Sequence, residues 1–141
     1  MIRSRKAIET DINQLLSIFN AARTRAACFS NPTASPEEFK TLVEGEAIYV
    51  AERDKELIGF VSVWQADKFI HHLYVLPEAQ GTGVGSFLLD LCENTFGGPL
   101  SLKCEASNIQ AQRFYRSKGW VVCESGVGDD GLWERLVSSS L

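Results

Sequence analysis

Three glycines alternate with other residues at positions 81, 83 and 85, where a predicted strand ends and a predicted helix begins. Glycine lets the backbone come close to a ligand and present consecutive N–H groups to it. The N-terminus of the following helix adds free N–H donors and the positive end of the helix dipole. The pattern predicts a cradle for a diphosphate that needs no cationic side chain. A plain turn before a helix is the simpler interpretation of the glycines alone.

Two widespread phosphate-binding patterns do not fit this segment. The loop of nucleotide hydrolases requires a Lys after its second glycine, and no Lys follows these glycines. The dinucleotide-binding pattern G-x-G-x-x-G belongs to a strand–helix–strand unit. Here the third glycine comes one position early, and the loop follows a predicted antiparallel meander.

The pattern that fits is Q-x-x-G-x-G, which runs from Gln80 to Gly85 and resembles the pyrophosphate loop of the GNAT superfamily of acetyl-CoA-dependent N-acetyltransferases. A second segment, from Asn108 to Trp120, is similar to the family's N-x-x-A-x-x-F-Y-x-x-x-G-W pattern. The two segments come in the right order, with room for one helix and one strand between them. The resemblance covers almost the whole chain and implies an acyltransferase that takes its acetyl group from acetyl-CoA.

The resemblance also implies which residues bind acetyl-CoA. Backbone groups of the strand ending at 75 would pair with the pantetheine arm like an added strand, the amides from 81 to 86 would bind the pyrophosphate, and Asn108 would contact the arm from the other side. Arg113, Arg116 and Lys118 are candidates for the adenosine phosphates, and a solvated helix face explains each of them equally well. The implied cofactor-binding residues are Leu73, Tyr74, Val75, Gln80, Gly81, Thr82, Gly83, Val84, Gly85, Ser86 and Asn108.

Acetyl transfer to an amine is helped by a base for the amine and an acid for the departing thiolate. Tyr115 matches the family's usual general acid, whereas helix periodicity alone would make it a core aromatic residue. The resemblance implies His71 as the base, nine residues before Gln80, and an imidazole pKa near 6.5 suits that task. A half-buried strand histidine is the alternative. Glu105 and Glu52 are reserve candidates, since buried carboxylates can have raised pKa values.

His71 and His72 are adjacent, and neighbouring side chains of a strand point to opposite faces of the sheet. We therefore expect that they cannot bind one metal ion together, and we predict no metal site. The four cysteines contain no C-x-x-C pair and lie in apolar or mixed segments, which is typical of free structural thiols. They are Cys28, Cys92, Cys104 and Cys123.

The loop between the first two helices usually forms a wall of the acceptor site in this family, and here it follows Arg23 and Arg25 and contains Phe29 and Ser30. The arginines could bind a substrate carboxylate, or simply stabilise the C-terminus of a helix. Trp64 either lines the pocket or fills the core. The short chain favours a small-molecule amine as acceptor. Acetylation of a protein lysine or N-terminus, and a CoA-binding sensor without turnover, are the alternatives.

These residues require a mixed sheet to position them. Hydrophobic spacing predicts helices at 10–26, with Thr10 as cap, and at 36–45, 84–96 and 108–118. Strands are predicted at 2–6, 47–53, 57–64, 69–75, 100–104, 120–124 and 132–137, with a loop at 125–131 and a tail at 138–141. The strands that flank the third helix should be parallel. We predict one α+β domain over residues 1–141, with a mixed, mostly antiparallel central sheet flanked by about four helices.

The composition narrows the possible partners. The formal net charge is −4, which disfavours non-specific nucleic-acid binding. The fully apolar stretches are only a few residues long, whereas a membrane span needs about 20. No apolar segment follows the basic residues at the N-terminus, so a signal peptide is not expected. We predict a cytoplasmic monomer or homodimer that binds neither membrane nor nucleic acid.

Overall fold

A computed structural model describes residues 1–138, which form one seven-stranded sheet with four α-helices. The sheet order is β1-β2-β3-β4-β5-β7-β6, and each neighbouring pair is antiparallel except β4 and β5. The predicted α+β class with a mixed, mostly antiparallel sheet is confirmed. The strands are β1 (Ile2–Lys6), β2 (Ala47–Arg53), β3 (Glu56–Trp64), β4 (Phe69–Val75), β5 (Ser101–Glu105), β6 (Val121–Gly128) and β7 (Gly131–Val137), and the helices are α1 (Ile12–Ala26), α2 (Pro36–Val43), α3 (Val84–Phe96) and α4 (Ile109–Ser117).

The two faces of the sheet carry separate hydrophobic cores. One core contains Leu88 of α3 and Tyr115 of α4. The other contains Phe19 of α1 and Phe39 of α2, whose rings lie 5.2 Å apart, together with Phe60 of β3. Because side chains alternate along a strand, successive residues of β4 face different helices, and this decides which of them reach a site between the layers.

The helix starts follow local capping chemistry. The predicted start of α2 is confirmed, because the Ser35 hydroxyl accepts a bond from the Glu38 N–H at 3.1 Å and the Glu38 carboxylate accepts one from the Ser35 N–H at 2.8 Å. The predicted cap Thr10 is wrong, since α1 begins at Ile12 after a short 3-10 turn. The turn forms because the buried Asp11 carboxylate accepts hydrogen bonds from the Ile8 N–H and from the guanidinium of Arg5 in β1.

The predicted loop at 125–131 is wrong, because β6 and β7 form a long hairpin through this region with a turn at residues 129–130. β6 is the edge strand, and most of its residues are exposed, so it lacks the apolar alternation that would indicate a strand. The glycines of β6 are also typical of a loop. A Cβ on Gly126 would lie only 2.4 Å from the Trp133 ring, so this glycine makes room for the indole of the paired strand.

β4 and β5 separate soon after they begin. The predicted parallel pairing is confirmed, but it comprises only two register pairs, Phe69 with Ser101 and Ile70 with Leu102. From position 71 onward β4 has β3 on one side and an open edge on the other. The fold therefore contains a gap in the middle of its sheet, next to the glycine loop that follows β4.

A β-bulge changes the direction of one histidine. In the pairing of β3 with β4, Val63 faces Ile70 and Ser62 faces His72, so that His71 is the extra residue. Two consecutive residues then lie on the same face of the sheet. The expectation that His71 and His72 point to opposite faces is wrong for this reason, and their rings stack with centroids 3.8 Å apart.

The end of the described chain is more ordered than the predicted tail. Ser138 is buried and exchanges two hydrogen bonds with Leu100, which extend the pairing of β5 with β7. Residues 139–141, the rest of the predicted tail and the end of the predicted domain, lie outside the described part of the chain. Within residues 1–138, no helix combines the length and the apolar composition that a membrane crossing requires.

Candidate active site

One cavity of about 930 Å³ runs along the open edge of β4. It is walled by the end of α1 and the loop after it, by β4 and the glycine loop, and by β5 and α4. Two predicted cofactor residues do not line it, because Val84 is buried in the core and the Thr82 hydroxyl donates to the Ala79 carbonyl. The predicted residues that line it are His71, Leu73, Tyr74, Val75, Gln80, Gly81, Gly83, Gly85, Ser86, Asn108 and Tyr115.

The edge of β4 directs backbone groups into this cavity. The Leu76 N–H donates to the Ile58 carbonyl of β3 at 2.9 Å. Because backbone groups alternate along a strand, those of Val75 and Leu73 point away from β3. The Val75 carbonyl accepts a bond from the Gln80 side-chain amide at 3.1 Å. Gln80 therefore connects the glycine loop to the end of the strand.

The three glycines have two different roles. Gly81 and Gly83 have φ values of +78° and +94°, and a Cβ at either position would meet nothing within 4 Å. Their left-handed backbone favours glycine, and the space beside them is open. Gly85 instead lies against α4, since its Cβ would be 3.0 Å from the Phe114 ring. The loop thus combines open space, unstrained positive φ angles and the free N–H groups of the first turn of α3.

α4 presents its first turn and Tyr115 to the cavity. Asn108 caps the helix, because its side-chain oxygen accepts a bond from the Ala111 N–H at 3.3 Å. Tyr115 is only 7% exposed, and its ring packs between Phe114 and Trp120 at centroid distances of 5.2 and 5.8 Å. Burial raises the pKa of the Tyr115 phenol well above its usual value. The phenol is therefore protonated at neutral pH.

His71 has a carboxylate partner that the sequence interpretation missed. Its Nδ1 lies 2.5 Å from Oε2 of Glu46, whose side chain is only 5% exposed. The other carboxylate oxygen accepts a hydrogen bond from the buried Ser62 hydroxyl. Glu46 directly precedes β2 and lies 25 positions before its partner. An acidic residue directly before a predicted strand is the only feature of the sequence that points to Glu46. The bulge that turns His71 toward Glu46 has no signature in the sequence.

His72 has a different environment from its neighbour. It is buried against Phe19 at a ring distance of 5.4 Å, and its Nε2 has no hydrogen-bond partner among the described residues. Burial, followed by the nearby His71 and Arg23, lowers the pKa of His72 to about 3. His72 is therefore a neutral ring against which His71 stacks.

Glu46, His71 and His72 place one potential ligand atom each within 4.8 Å of one another. The two imidazole planes, however, are only 26° from parallel in a stack. Lone pairs on ring nitrogens lie in the ring planes, so in this arrangement they run side by side and do not converge on one ion. The geometry suits a shared proton between Glu46 and His71, and we assign no metal to this cluster.

Arg23 organises the end of the cavity that is formed by the loop after α1. Its Nε donates to the Pro32 carbonyl at 3.0 Å, its Nη1 donates to the Tyr74 hydroxyl at 3.2 Å, and its guanidinium carbon lies 3.7 Å from the centre of the Phe29 ring. The guanidinium thus fixes the loop after α1 and is not a free clamp for a carboxylate. Arg25 also lines the cavity and is exposed.

The same loop is tied to the β6–β7 hairpin. Oδ1 of Asp130, in the hairpin turn, accepts bonds from both the N–H and the hydroxyl of Ser30, at 2.7 and 2.8 Å. These bonds lower the pKa of the Asp130 carboxyl. The two segments are 100 positions apart in the sequence, and their contact fixes the loop whose Phe29 lines the cavity.

The remaining candidate residues differ in whether their side chains line the cavity. Glu105 lines the cavity, and burial raises the pKa of its carboxyl. Glu52 instead pairs with Arg5 of β1 at 3.3 Å. Trp64 neither fills the core nor lines the pocket: it is 43% exposed and packs over Gly45.

Two of the basic residues considered for the adenosine phosphates have other neighbours. Arg116 forms an ion pair with Glu134 at 3.1 Å, and the Lys118 ammonium lies 5.9 Å from the centre of the Phe114 ring. The charge of Arg116 is therefore partly neutralised by Glu134, and the Lys118 ammonium has an aromatic ring as its neighbour.

The family model described as "Acetyltransferase (GNAT) domain" matches residues 13–134 of the chain. The 5-NmdU N-acetyltransferase of Pseudomonas phage PaMx11 is 26% identical over 137 residues, which cover 94% of this chain and 96% of that protein. A putative [ribosomal protein bS18]-alanine N-acetyltransferase of Bacillus subtilis (strain 168) is 27% identical over 114 residues, covering 75% and 76%. Among solved structures, a GCN5-related N-acetyltransferase from Rhodopseudomonas palustris superposes with a TM-score of 0.84 at 20% identity, covering 97% of this chain and 94% of that one.

Proposed function

This chain belongs to the GNAT acetyltransferase family and is an N-acetyltransferase, and we propose that it moves the acetyl group of acetyl-CoA to the primary amine of a small molecule. The observation that carries the proposal is the single cavity along the open edge of β4. It brings the glycine loop, the phenol of Tyr115 and the imidazole of His71 to one continuous space. A donor and an acceptor can therefore meet there.

The donor end suits an elongated molecule with a diphosphate. The pantetheine arm would extend along the edge formed by Leu73 and Val75, in the place that a further strand of the sheet would occupy. Its pyrophosphate would lie against the loop around Gly81 and Gly83, where a Cβ would meet open space. Backbone N–H groups and the start of α3 supply donors for the phosphate oxygens.

The reaction needs a neutral amine. An amine with a pKa of about 10.4 is neutral in roughly one molecule in 2,500 at pH 7, so a base that removes its proton raises the rate. In the proposed step the amine nitrogen attacks the thioester carbonyl carbon, the C–N bond forms and the C–S bond breaks. Nε2 of His71 accepts the amine proton, and the phenol of Tyr115 donates a proton to the departing thiolate. Acetyl-CoA supplies the activated acyl group, and no metal is required.

The acceptor end favours a small amine. The bonds between Ser30 and Asp130 join the loop after α1 to the hairpin turn, which fixes the loop whose Phe29 lines the cavity. The alternative acceptor is a protein N-terminus, which the similarity to the putative [ribosomal protein bS18]-alanine N-acetyltransferase supports. Family membership and the presence of both an acid and a base candidate favour turnover over a sensor that only binds CoA. The cytoplasmic location, the monomeric or homodimeric state and the absence of a nucleic-acid partner stay predictions from the sequence.

A thiol-release assay with acetyl-CoA tests the proposal. The panel contains small primary amines, free amino acids, aminomethylated nucleosides and peptides, including one with an N-terminal alanine. We expect CoA release with a subset of the small amines and a matching mass increase of one acetyl group on the amine. Faster turnover of the N-terminal alanine peptide would select the protein acceptor. A protein that binds acetyl-CoA but releases no thiol with any amine would contradict the proposed activity.

A further inference from the structure

Glu46 occupies an unusual position for a carboxylate in a small protein. Its side chain is 95% buried, yet its hydrogen-bond partners among the described residues are only one hydroxyl and one imidazole. The Ser62 hydroxyl contacts one carboxylate oxygen, and Nδ1 of His71 contacts the other. Burying a carboxylate is costly unless it is hydrogen-bonded and paired. Nδ1 of His71 lies 2.5 Å from Oε2 of Glu46, within hydrogen-bond distance. The arrangement gives His71 a fixed direction.

Glu46 cannot act on the substrate directly. His71 and His72 line the cavity, but Glu46 lies behind them and lines a separate, smaller cavity on the side of β1 and α1. Any effect of Glu46 on acetyl transfer must therefore pass through His71. Ser62 holds the carboxylate from β3, and the neutral ring of His72 stacks on His71 from its other side.

We propose that Glu46 is the positioning residue of the His71 base, an inference that rests on the proposed function. The Glu46 carboxylate accepts a hydrogen bond from Nδ1–H, which selects the tautomer whose Nε2 is free to take the proton of the acceptor amine. Its charge also stabilises the imidazolium that forms when that proton arrives, as a buried carboxylate does for other catalytic histidines. The bulge in β4 is the structural device that makes the pair possible, because it turns His71 onto the face where Glu46 lies.

Other charged groups near His71 must be considered in any pH experiment. Arg23 and Arg25 face this part of the cavity from α1, and Lys103 and Glu105 face it from β5. The guanidinium of Arg135 on β7 lies over the ring of Phe69, at 5.2 Å from its centre. His72 remains neutral throughout the range in which imidazoles titrate. A substitution of Glu46 leaves these groups unchanged, so a difference between wild type and variant reports on the Glu46 charge.

The first test reads the tautomer of His71 and needs no substrate. Long-range ¹H–¹⁵N spectra of protein labelled at its histidine nitrogens, recorded above the imidazole titration range, separate the Nδ1–H and Nε2–H forms. The signals of His71 are assigned by their loss in His71→Ala. We expect the Nδ1–H form in the wild type and a marked gain of the Nε2–H form in Glu46→Gln. A predominantly Nε2–H ring in the wild type would overturn the positioning role, while leaving the proposed acetyl transfer intact.

The second test is the pH dependence of kcat/KM with the acceptor found in the panel. Glu46→Gln keeps the size of the side chain and removes its charge. We expect a fall of about 10- to 100-fold near neutral pH, the scale at which groups that orient a reactive side chain act, with the acidic limb moved to lower pH because the imidazolium has lost its counter-charge. Affinity for acetyl-CoA should be unchanged.

Glu44→Gln, the same substitution on an exposed residue two positions away, is the matched control and should keep the wild-type profile. An acidic limb that does not move in Glu46→Gln would overturn the inference.

Discussion

At the scale of single residues, the site depends on the different surroundings of two adjacent histidines. His72 is 7% exposed, packs against aromatic rings and has a pKa of about 3, so it is neutral at any working pH. His71 lines the cavity and contacts a buried carboxylate through Nδ1. Of the two, only His71 can both reach an acceptor amine and receive its proton. Tyr115 lines the same cavity, and burial raises the pKa of its phenol.

Substitution of Tyr115 by Phe tests the acid. Tyr115→Phe keeps the ring that packs against Phe114 and Trp120 and removes only the phenol proton. We expect turnover to fall by roughly 10²–10³-fold, the usual effect of removing a positioned acid, with little change in acetyl-CoA affinity. Steady-state kinetics together with calorimetric titration of acetyl-CoA measure the two quantities. Turnover at the wild-type rate would show that the thiolate receives its proton from another source, such as solvent.

At the scale of elements, β4 does most to create the site. Its short pairing with β5 opens an edge, its bulge turns His71 toward Glu46, and its end is joined to the glycine loop by Gln80. The loop then begins α3 with free backbone donors. One strand and the turn after it therefore supply the proposed base, the donor-binding edge and the phosphate cradle.

Substitution of Gly83 tests the loop. Gly83→Val adds a branched side chain to the open space beside the loop and opposes a φ of +94°, so we expect acetyl-CoA affinity to fall by at least tenfold while the fold persists. Gly131→Val is the matched control. Gly131 also has a positive φ, of +93°, and a Cβ there also meets nothing within 4 Å, but it begins β7 directly after the hairpin turn. Titration of both folded variants with acetyl-CoA gives the comparison. If both variants bind acetyl-CoA with equal affinity, Gly83 is needed only to form the turn and not to bind the cofactor.

The elements with regular hydrophobic spacing could be predicted from the sequence, and those shaped by distant contacts could not. β2, β4 and α3 have the predicted bounds, because apolar periodicity and glycine boundaries are local signals. In the β6–β7 hairpin the sequence predicts strands at 120–124 and 132–137 but a loop at 125–131, because an exposed edge strand has no apolar face. The bulge at His71 depends on the register between β3 and β4, which no local pattern encodes. The pair of Glu46 with His71 follows from that bulge, so it could not be predicted either.

At the scale of the whole molecule, the sheet divides two cores and the cavity crosses the gap between its halves. A ligand seated in that gap contacts elements from both cores, namely β4 and α1 on one side and β5 and α4 on the other. Binding should therefore stabilise the whole fold and not merely a loop. The acidic surface, with a net charge of −4, makes non-specific attraction of polyphosphates weak, so stabilisation should be selective.

Thermal unfolding with different ligands tests this selectivity. Acetyl-CoA should raise the free energy of unfolding by about 2.7 kcal/mol at a hundred times its dissociation constant, and we expect a shift in Tm of several degrees for a chain of this size. ATP and NAD share the diphosphate but lack the pantetheine arm that pairs with the edge of β4, so their shifts should be much smaller. A shift with ATP that equals the shift with acetyl-CoA would contradict binding along that edge.

The pH profile of kcat/KM for the wild type and His71→Ala is the most direct test of acetyl transfer through this cavity. In the wild type the rate should fall on the acidic side, with a component from protonation of the His71 imidazole. In His71→Ala the rate at neutral pH should drop by about 10²-fold or more, and that component should disappear, leaving a rate that rises with pH as the neutral amine becomes more abundant. A variant that keeps both the wild-type rate and the acidic limb would contradict the assignment of the base. Glu105, whose carboxyl also lines the cavity with a raised pKa, would then be the residue to substitute.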